Sequence, residues 1–359
     1  MKIIDRYILG KFIGTFVYSI GLIISIAIIF DISENIEDFI DKQAPLSKIA
    51  FDYYLNFIPY FANLFSPLFT FISVIFFTSK MASDTEIVAI LNGGVNFKRL
   101  LLPYMFGAAL ICSASLYLGN MIIPKCTKIK LEFEEIYIRN KFRFSEHNIH
   151  RQINPGTFIY FESYDNTENV GFKFCLEKYI NSKLFYKINA DFLRWDSIKK
   201  SWKMENYHIR TILNKKEHLV FGTTKDTVLN LHPEDFGRRI NSIETMNYNE
   251  LKQFIDKEKL RGNENIIFAE IEYYKRFAMP FATFILTLIG VSVASRKVRG
   301  GIGMHIGFGL LISFSYILLM QFTTTFATYS SLNPFIAVWL PNIVYTILSL
   351  FLLLSLIHI

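Results

Sequence analysis

The chain has 359 residues, of which 52% are hydrophobic, 16% aromatic and only 19% charged. This composition is typical of a membrane-embedded protein, and six apolar runs reach the length of about 20 residues with which a helix crosses a bilayer. The formal net charge of +7 does not indicate nucleic acid as a partner, because basic residues of a membrane protein mostly mark its cytoplasmic side.

The first apolar run, Phe12 to Phe30, follows a basic N-terminus and is expected to enter the membrane from the cytoplasm. It is too long for a cleavable signal peptide and has no small-residue cleavage site, so we expect it to remain as an anchor. The next segment, 31–52, carries six acidic residues against two lysines and is expected outside. The second run, 53–79, returns the chain inward and contains Pro59 and Pro67, which predict a tilt or a kink.

A short polar-edged segment, 79–99, separates the second and third runs and predicts a cytoplasmic helix over 83–94. Ser83 followed by Glu86 is the pattern of a capping box, and Gly94 can adopt the left-handed conformation that ends a helix. An apolar stripe with a carboxylate at its tip suits docking into a groove of a partner protein, although a helix lying on lipid headgroups has the same pattern. The candidate residues of this helix are Ser83, Asp84, Glu86, Ile87, Ile90, Leu91 and Gly94.

The third run, 100–124, leaves the cytoplasm and is followed by roughly 150 residues without another apolar run, which is enough for one domain. Residue alternation, as in 157–164, and turn signals such as Asn-Pro-Gly at 154–156 predict an antiparallel sheet or sandwich. A helix is predicted from Asn247 to about Arg261, where Gly262 ends it.

The cysteines are Cys112, Cys126 and Cys175, too few and too scattered for a disulfide framework or a zinc site. Cys126 and Cys175 fall in the external segment. We expect unpaired buried thiols there, and a disulfide between the two is the alternative if their side of the membrane is oxidising.

Basic residues mark a tight cytoplasmic turn at Arg296, Lys297 and Arg299, between run four (277–295) and run five (300–327). The sixth run then brings the C-terminus inside, so that both termini are expected in the cytoplasm.

The predicted fold is therefore an α-helical membrane protein of six transmembrane helices, three on each side of an inserted external β domain. The predicted boundaries are 1–124 for the first three helices, 125–270 for the β domain and 271–359 for the last three helices.

Motifs of catalysis are missing from the sequence. No phosphate loop, HExxH or Ser/His/Asp set is recognisable, and the glycines at 300–307 miss the dinucleotide pattern and follow a helix end. We therefore expect a chain that is not an enzyme and holds no cofactor and no metal. His305 is the only ionisable side chain well inside or near a run, and we expect it to be a structural hydrogen-bonding group rather than a proton relay.

Apolar side chains follow helical spacing along one face of run one, and a shorter stripe lies near the outer end of run five. Such stripes usually face lipid, and the alternative is that they wall a cavity for acyl chains. The candidate cavity residues are Phe16, Ile20, Ile23, Ala27, Phe30, Phe322 and Phe326.

Four short motifs, which follow one another along the chain in the family's order, resemble the lipopolysaccharide export permease family LptF/LptG (YjgP/YjgQ). The resemblance covers nearly the whole chain. SDTEIVAILNGG at 83–94 resembles the cytoplasmic coupling helix of that family, with its acid at Glu86 and its glycine at Gly94. RFAMP, RGG and WLPN resemble the start of the fourth helix, the turn before the fifth and the sixth helix. Their matching residues are Arg276, Pro280, Arg299, Gly300, Gly301, Trp339, Pro341 and Asn342.

The resemblance implies six transmembrane helices and a periplasmic β-jellyroll in the inner membrane of a double-membraned bacterium. It implies pairing with a second LptF/LptG-type permease chain, or with itself, around a cavity that takes lipopolysaccharide from the outer leaflet of that membrane. It also implies a dimeric cytoplasmic ABC ATPase that binds the ATP and grips the coupling helices, a single-span LptC-like protein and a periplasmic bridge. An F-like and a G-like subunit fit these motifs equally well.

The physics of lipid extraction agrees with this role. Each buried methylene is worth about 0.8 kcal/mol, so a lipid with several chains does not leave a bilayer unaided. Because this chain offers apolar helices and no ATP site, force must arrive through a cytoplasmic contact, for which the helix around Glu86 is the best candidate.

One departure from the family pattern concerns the outer end of helix one, which is acidic here where family members often carry basic residues. The resemblance therefore assigns no contact with lipid phosphates. Two alternatives stay open, namely an ABC-linked permease for another lipid or for lipoprotein, and a membrane sensor whose β domain binds a ligand.

Overall fold

The computed structural model of the protein describes residues 3–138, 147–213, 216–229, 231–233, 236, 240–261, 266–296, 301–330 and 332–357. The chain divides into two compact units. The membrane unit comprises Met1–Ile138, Glu244–Tyr248 and Ile267–Ile359, and the β unit comprises Arg139–Ile243 and Asn249–Ile266.

Among the residues that the structure describes, six helices are long and apolar enough to cross a membrane, as the sequence predicts. A short helix, α3, lies between the second and third of them. The helices of the chain are α1 (Ile3–Asp41), α2 (Leu46–Ser83), α3 (Glu86–Asn92), α4 (Phe97–Tyr137), α5 (Tyr248–Arg261), α6 (Ile266–Ala294), α7 (Gly301–Tyr329) and α8 (Pro334–Ile357).

Helices α1 and α4 continue well past the C-terminal ends of their apolar runs. The acidic segment after Phe30 extends α1 to Asp41, because it has no glycine or proline to break the helix and the Asp31 carboxylate accepts hydrogen bonds from tyrosines of α2. Past Pro124, α4 continues to Tyr137. A π-helical stretch at Leu118–Ile122 precedes this proline, and its altered hydrogen bonding accommodates a residue that has no N–H to donate.

Three apolar clusters hold the described part of the membrane unit together, and two of them join most of its helices. One surrounds Phe12, Phe77 and Tyr104 and joins α1 to α2, α3 and α4. The other surrounds Phe71 and Tyr316 and joins α2 to α6, α7 and α8. Close approach of α6 to α2 requires Gly290 in particular, since a Cβ atom there would lie 2.9 Å from the Val74 side chain.

In the described part of the β unit, six strands form one antiparallel sheet whose order follows the sequence. This sheet is the jellyroll-like periplasmic domain of the prediction. Gly156, in the predicted turn between β1 and β2, has a left-handed φ of +74°. The strands are β1 (His147–Asn154), β2 (Thr157–Asp165), β3 (Val170–Ile180), β4 (Lys183–Asp196), β5 (Ser201–Leu213) and β6 (Lys216–Thr227).

The sheet is apolar on one face and polar on the other, as expected for strands that alternate. The apolar face buries Phe161, Phe174 and Trp202, which pack with Leu231 and Phe236 from the segment after β6. The Trp202 indole N–H donates to the Leu231 carbonyl at 3.0 Å, so the polar atom of this buried ring is satisfied.

Three further predictions concern the helix after Asn247, the turn before α7 and the cysteines. The predicted helix after Asn247 is present as α5, and Gly262, its predicted end, lies outside the described residues. Lys297, Arg299 and Gly300 of the predicted cytoplasmic turn lie outside them as well. The thiols of Cys112, Cys126 and Cys175 are free.

Candidate functional site

The short helix α3 follows α2 through a sharp turn. Thr85 occupies the N-cap position with a left-handed φ of 61°, and no side chain caps the helix. The predicted capping box between Ser83 and Glu86 is therefore wrong. Ser83 is the last residue of α2 itself, and the Glu86 carboxylate is used in contacts with α1. Gly94 has a left-handed φ of +85°, as predicted for the end of this helix.

The Glu86 carboxylate is bound by the N-terminal part of α1. The Tyr7 hydroxyl lies 3.0 and 2.9 Å from its two oxygens, and the Lys11 ammonium lies 3.4 Å from both. The same ammonium lies 4.3 Å from the centre of the Tyr7 ring. Side chains of Lys11 and Glu86 are each 31% exposed, so water screens this ion pair in part.

A second ion pair joins α1 to the start of α4. The Arg99 guanidinium lies 2.6 Å from the carboxylate of Asp5, whose side chain is only 11% exposed. Next to it, the Asn96 side chain accepts a hydrogen bond from the Lys98 N–H at 3.0 Å and caps α4. The first turns of α1 are thus tied to both α3 and α4.

The apolar residues of α3 divide between two faces. Ile87 is 2% exposed and packs with Ile8 and Met81, and Ile90 is half-buried against the same cluster. Leu91 is 36% exposed, and its neighbour on the helix surface is Val88, which is 50% exposed. The predicted single stripe is therefore corrected: Ile87 and Ile90 anchor the helix, while Val88 and Leu91 form its free apolar face.

An apolar cavity of about 290 Å³ lies between α1, α2 and α4. Phe16 and Ile20, two of the candidate cavity residues, line it. Among its few polar groups, the Ser115 hydroxyl donates to the Asn63 side chain. The other lining residues are Ile13, Val17, Ala62, Ser66, Leu110, Ile111, Ala114 and Leu118.

The remaining candidate cavity residues do not line this cavity. Ile23 is half-buried, and Ala27 packs against the aromatic residues at the C-terminal end of α1. Phe30 is 73% exposed, and Phe322 and Phe326 of α7 are each 62% exposed. These three rings are outward-facing on helices long enough to cross a membrane, so they meet lipid or another chain.

Arg276 of the RFAMP motif is an anchor inside the membrane unit. Its side chain is 6% exposed, and it donates to the Glu272 carboxylate at 3.1 Å and to the Met246 carbonyl at 2.8 Å. Burial raises the pKa of Glu244, in the same segment as Met246, and the nearby Glu272 carboxylate adds to this shift. Pro280 is buried one turn further along α6.

The WLPN motif joins three helices of the membrane unit. The Asn342 side chain accepts from the Tyr316 hydroxyl of α7 at 2.9 Å and donates to the Ala278 carbonyl of α6 at 2.8 Å. The ring of Trp339 packs at a tilt against that of Phe281 of α6, with ring centres 5.7 Å apart. Pro341 lies between Trp339 and Asn342 along α8. Gly301 of the RGG motif is the first residue of α7.

His305 is buried, and its Nε2 atom lies 3.1 Å from the Arg296 carbonyl oxygen. This contact joins Arg296, just after the end of α6, to the first turns of α7. It favours the structural role of His305 over a proton relay. Within the described residues, no group of three or more His, Cys, Asp or Glu side chains is arranged to hold a metal ion.

A family model for the lipopolysaccharide export system permease LptF/LptG matches residues 6–355, which is nearly the whole chain. No curated protein matches it.

Proposed function

The chain belongs to the LptF/LptG family of lipopolysaccharide export permeases, and we propose that a separate cytoplasmic ATPase drives it to extract lipopolysaccharide from the outer leaflet. As a member of this family it is a multi-pass inner-membrane subunit for transport and not an enzyme. The extracted lipid passes to a periplasmic bridge through the jellyroll-like domain, with the help of a single-span LptC-like protein. The transported lipid needs an external energy source, because several acyl chains must leave hydrocarbon together.

The observation that carries the proposal is the path from α3 to the apolar cavity. Glu86 of α3 is bound to Tyr7 and Lys11 on α1, and Phe16 and Ile20 line the cavity on that same helix. A displacement of α3 therefore acts on the helix that forms one wall of the cavity. This connection supports α3 as the coupling helix, with the ATPase on its exposed side.

Two sets of residues in α3 have different roles in this proposal. Val88 and Leu91, which are exposed, contact the ATPase. Glu86, which is bound by α1, transmits the motion. Both termini of the chain and α3 lie on the cytoplasmic side, where the basic residues of the N-terminus are expected.

The lipid path is completed by a second permease chain of the family, or by a second copy of this one. The cavity of about 290 Å³ is at the small end of ligand sites and holds only part of a lipid with several chains. Phe30, Phe322 and Phe326, which are exposed on α1 and α7, supply the apolar surface that the second chain and the acyl chains cover.

The proposal is tested with Glu86→Lys in the reconstituted permease and ATPase complex. Reversing the charge places two ammonium groups side by side at Lys11, so the link between α3 and α1 is lost while Val88 and Leu91 stay in place. We expect the ATPase to co-purify and lipopolysaccharide release to fall by tenfold or more. As a control, Glu132→Lys makes the same charge change at an exposed position of α4 and leaves release unchanged.

Leu91→Asp gives the complementary result, because a charge on the exposed face of α3 is expected to remove the ATPase from the complex. Full release by Glu86→Lys with the ATPase bound would contradict the transmission role. A chain that never co-purifies with an ATPase would favour the sensor alternative, and crosslinking of labelled lipopolysaccharide to α1 and α7 separates this lipid from other cargoes.

A further inference from the structure

The polar face of the β sheet, opposite its apolar core, contains an open concavity of about 700 Å³. Such a face is usually a solvated surface with cross-strand pairs. Two features distinguish this one: a row of side chains that crosses five strands and includes two imidazoles, a phenol and an amide, and left-handed residues within strands. Its ionic groups also neutralise each other, which bears on the kind of ligand that fits.

The row of side chains crosses five strands at one level of the sheet. Strand register pairs His150 with Tyr160, Tyr160 with Cys175, Cys175 with Asn189, and Asn189 with His208. All five line the concavity, since paired residues point to the same face. The rings of His150 and Tyr160 lie 4.6 Å apart, and the Asn189 amide lies 2.8 Å from His208 Nε2.

The charged groups of the concavity are matched in pairs. Lys187 donates to the Glu177 carboxylate at 2.7 Å, and Lys173 donates to the Asp191 carboxylate at 2.9 Å. These hydrogen bonds lower the pKa of each carboxyl, so that both pairs are ionised at neutral pH and cancel. A strongly anionic ligand such as a phosphate therefore meets lysines that already have carboxylate partners. The balance favours a neutral polar ligand.

The backbone of the concavity is unusual for a sheet. Asn148, Lys173 and Asn206 have φ values of 56°, 51° and 51°, inside β1, β3 and β5. Each of the three lines the concavity. Left-handed backbone inside a strand is costly, above all for lysine, and such strain tends to persist where a site requires it. This argues for a built surface rather than an ordinary solvated face.

We propose that this concavity binds a saccharide. Vicinal hydroxyl groups of a sugar both donate and accept, and the amide, carboxylate and imidazole groups here offer matching acceptors and donors. The Tyr160 ring provides an apolar surface for the C–H face of a sugar ring. The site goes beyond lipid extraction, because it engages the polar part of a ligand on the face of the sheet that carries no apolar core.

Two sources can supply the saccharide: the sugar portion of lipopolysaccharide, which rests on the proposed function, and a free saccharide of the periplasm. Both present the same chemistry to the sheet. They differ in whether acyl chains are attached, and the test uses this difference.

The test measures binding to the purified full chain in detergent. The probe is the oligosaccharide that mild acid releases from lipopolysaccharide, detected by saturation-transfer NMR and titrated by calorimetry. The variant is Asp191→Leu, which removes two acceptors from the concavity. A matched control is Asp226→Leu, because the Lys199–Asp226 pair has the same 2.9 Å distance and similar exposure but lies outside the concavity.

We expect the oligosaccharide to bind the wild-type chain and Asp226→Leu equally, and to bind Asp191→Leu about tenfold more weakly. Intact lipopolysaccharide that loses affinity in Asp191→Leu by a similar factor identifies its sugar portion as the source, and a loss confined to the free oligosaccharide identifies a free saccharide. Absence of oligosaccharide binding to the wild-type chain, or equal binding to all three chains, would overturn the proposal. Since no ATPase is present, these results do not depend on whether the chain exports lipid.

Discussion

Helix α1 makes a carboxylate–tyrosine contact with a neighbouring helix near each of its ends, and the two contacts differ in kind. At the N-terminal end, Glu86 of α3 binds Tyr7 and Lys11. Both partners of the ion pair are 31% exposed, and α3 is a short helix of seven residues that Ile87 and Ile90 anchor. This contact is ionic, accessible to water and carried by a small element.

At the C-terminal end, Asp31 accepts hydrogen bonds from two neutral hydroxyls of α2, those of Tyr53 at 3.1 Å and Tyr54 at 3.0 Å. Both tyrosines are buried in an aromatic cluster. The ring of Tyr53 lies 5.2 Å from that of Phe133 on α4, and the Lys130 ammonium lies 5.7 Å from the Tyr53 ring centre. The other buried members of the cluster are Phe39 and Phe57.

The difference indicates a division of labour along one helix. Packed rings resist displacement, because separating them opens a cavity and removes many contacts at once. An exposed ion pair contributes little to stability, so its geometry can change at small cost. We therefore call the aromatic contact near the C-terminus of α1 the fixed end, and the ionic contact of Glu86 with α1 the movable end. The helix itself is packed at both ends, through Ile8 and Phe12 at the N-terminal one, so that a change in the Glu86 contact is transmitted to α1 as a whole.

The largest expected effect comes from truncating a ring in the fixed end. Tyr53→Ala removes a side chain that is 3% exposed, and we expect it to lower the free energy of unfolding by about 3 kcal/mol. Unfolding of the purified chain by dodecyl sulfate, followed by circular dichroism, measures this loss. Tyr18→Ala is the control, since it removes the same kind of ring from a position on α1 that is 72% exposed. If Tyr18→Ala lost as much stability as Tyr53→Ala, the packing argument would be contradicted.

A smaller loss is expected from removing only the hydroxyls of that end. The double variant Tyr53→Phe with Tyr54→Phe keeps the rings and leaves Asp31 without these two donors, which we expect to cost about 2 kcal/mol. Adding Asp31→Asn is expected to recover part of the loss, because a neutral amide is less costly to leave without donors. If the double variant were as stable as wild type, the hydroxyls would not contribute to fixing this end.

At the movable end, we expect stability and activity to separate. Glu86→Gln loses the ionic part of the contact with Lys11 and is expected to change the free energy of unfolding by less than about 1 kcal/mol. Release of lipopolysaccharide by the complex is nonetheless expected to fall severalfold. Raising the salt concentration should weaken wild-type release and leave Glu86→Gln unchanged, because salt screens an exposed pair. A stability loss like that of Tyr53→Ala would remove the contrast between the two ends.

The sequence predicted the elements of this contrast but not the contacts. Apolar run length gives the six helices, and alternation gives the antiparallel sheet, because both depend on local periodicity. The partner of Glu86 could not be predicted, since Tyr7 and Lys11 lie 79 and 75 residues away along the chain and no local spacing relates them. For the same reason, Ile87 was predicted to share one apolar stripe with Leu91, although Ile87 is buried and Leu91 is exposed. A helical face can be read from spacing, but which side of it is covered depends on the neighbouring helices.

The extension of α1 beyond its apolar run was not predicted, for a different reason. The segment after Phe30 was assigned by charge alone, which indicates where the segment lies and not whether it is helical. A signal for this extension was present, because the segment has neither glycine nor proline before Asp41.

Val88 was not among the predicted residues of α3. The signal for it is its i, i+3 relation to Leu91, which places both on one side of α3.

The β unit offers the same contrast in its own sheet, with exposed ion pairs on one face and packed rings on the other. Hydrogen bonds from Lys187 lower the pKa of Glu177, so the folded value lies below the unfolded value of about 4.3. The stability from this pair is therefore present above about pH 4.3 and is lost as pH falls through the folded pKa. Because the Glu177 side chain is 27% exposed, we expect the smallest effect of the series, below about 1 kcal/mol.

Tryptophan fluorescence can isolate this unit, because Trp339→Phe leaves only Trp195 and Trp202, both in the sheet. In that background, the thermal midpoint reported by these rings should fall slightly between pH 5 and pH 3 and should fall less in Glu177→Gln, whose side chain cannot titrate. Phe174 carries no titratable group and is buried among apolar side chains, so Phe174→Leu should lower the midpoint by the same amount at both pH values. Parallel curves for Glu177→Gln and its parent would mean that the polar face contributes nothing through this pair, and the contrast between ionic and packed contacts would then hold only in the membrane unit.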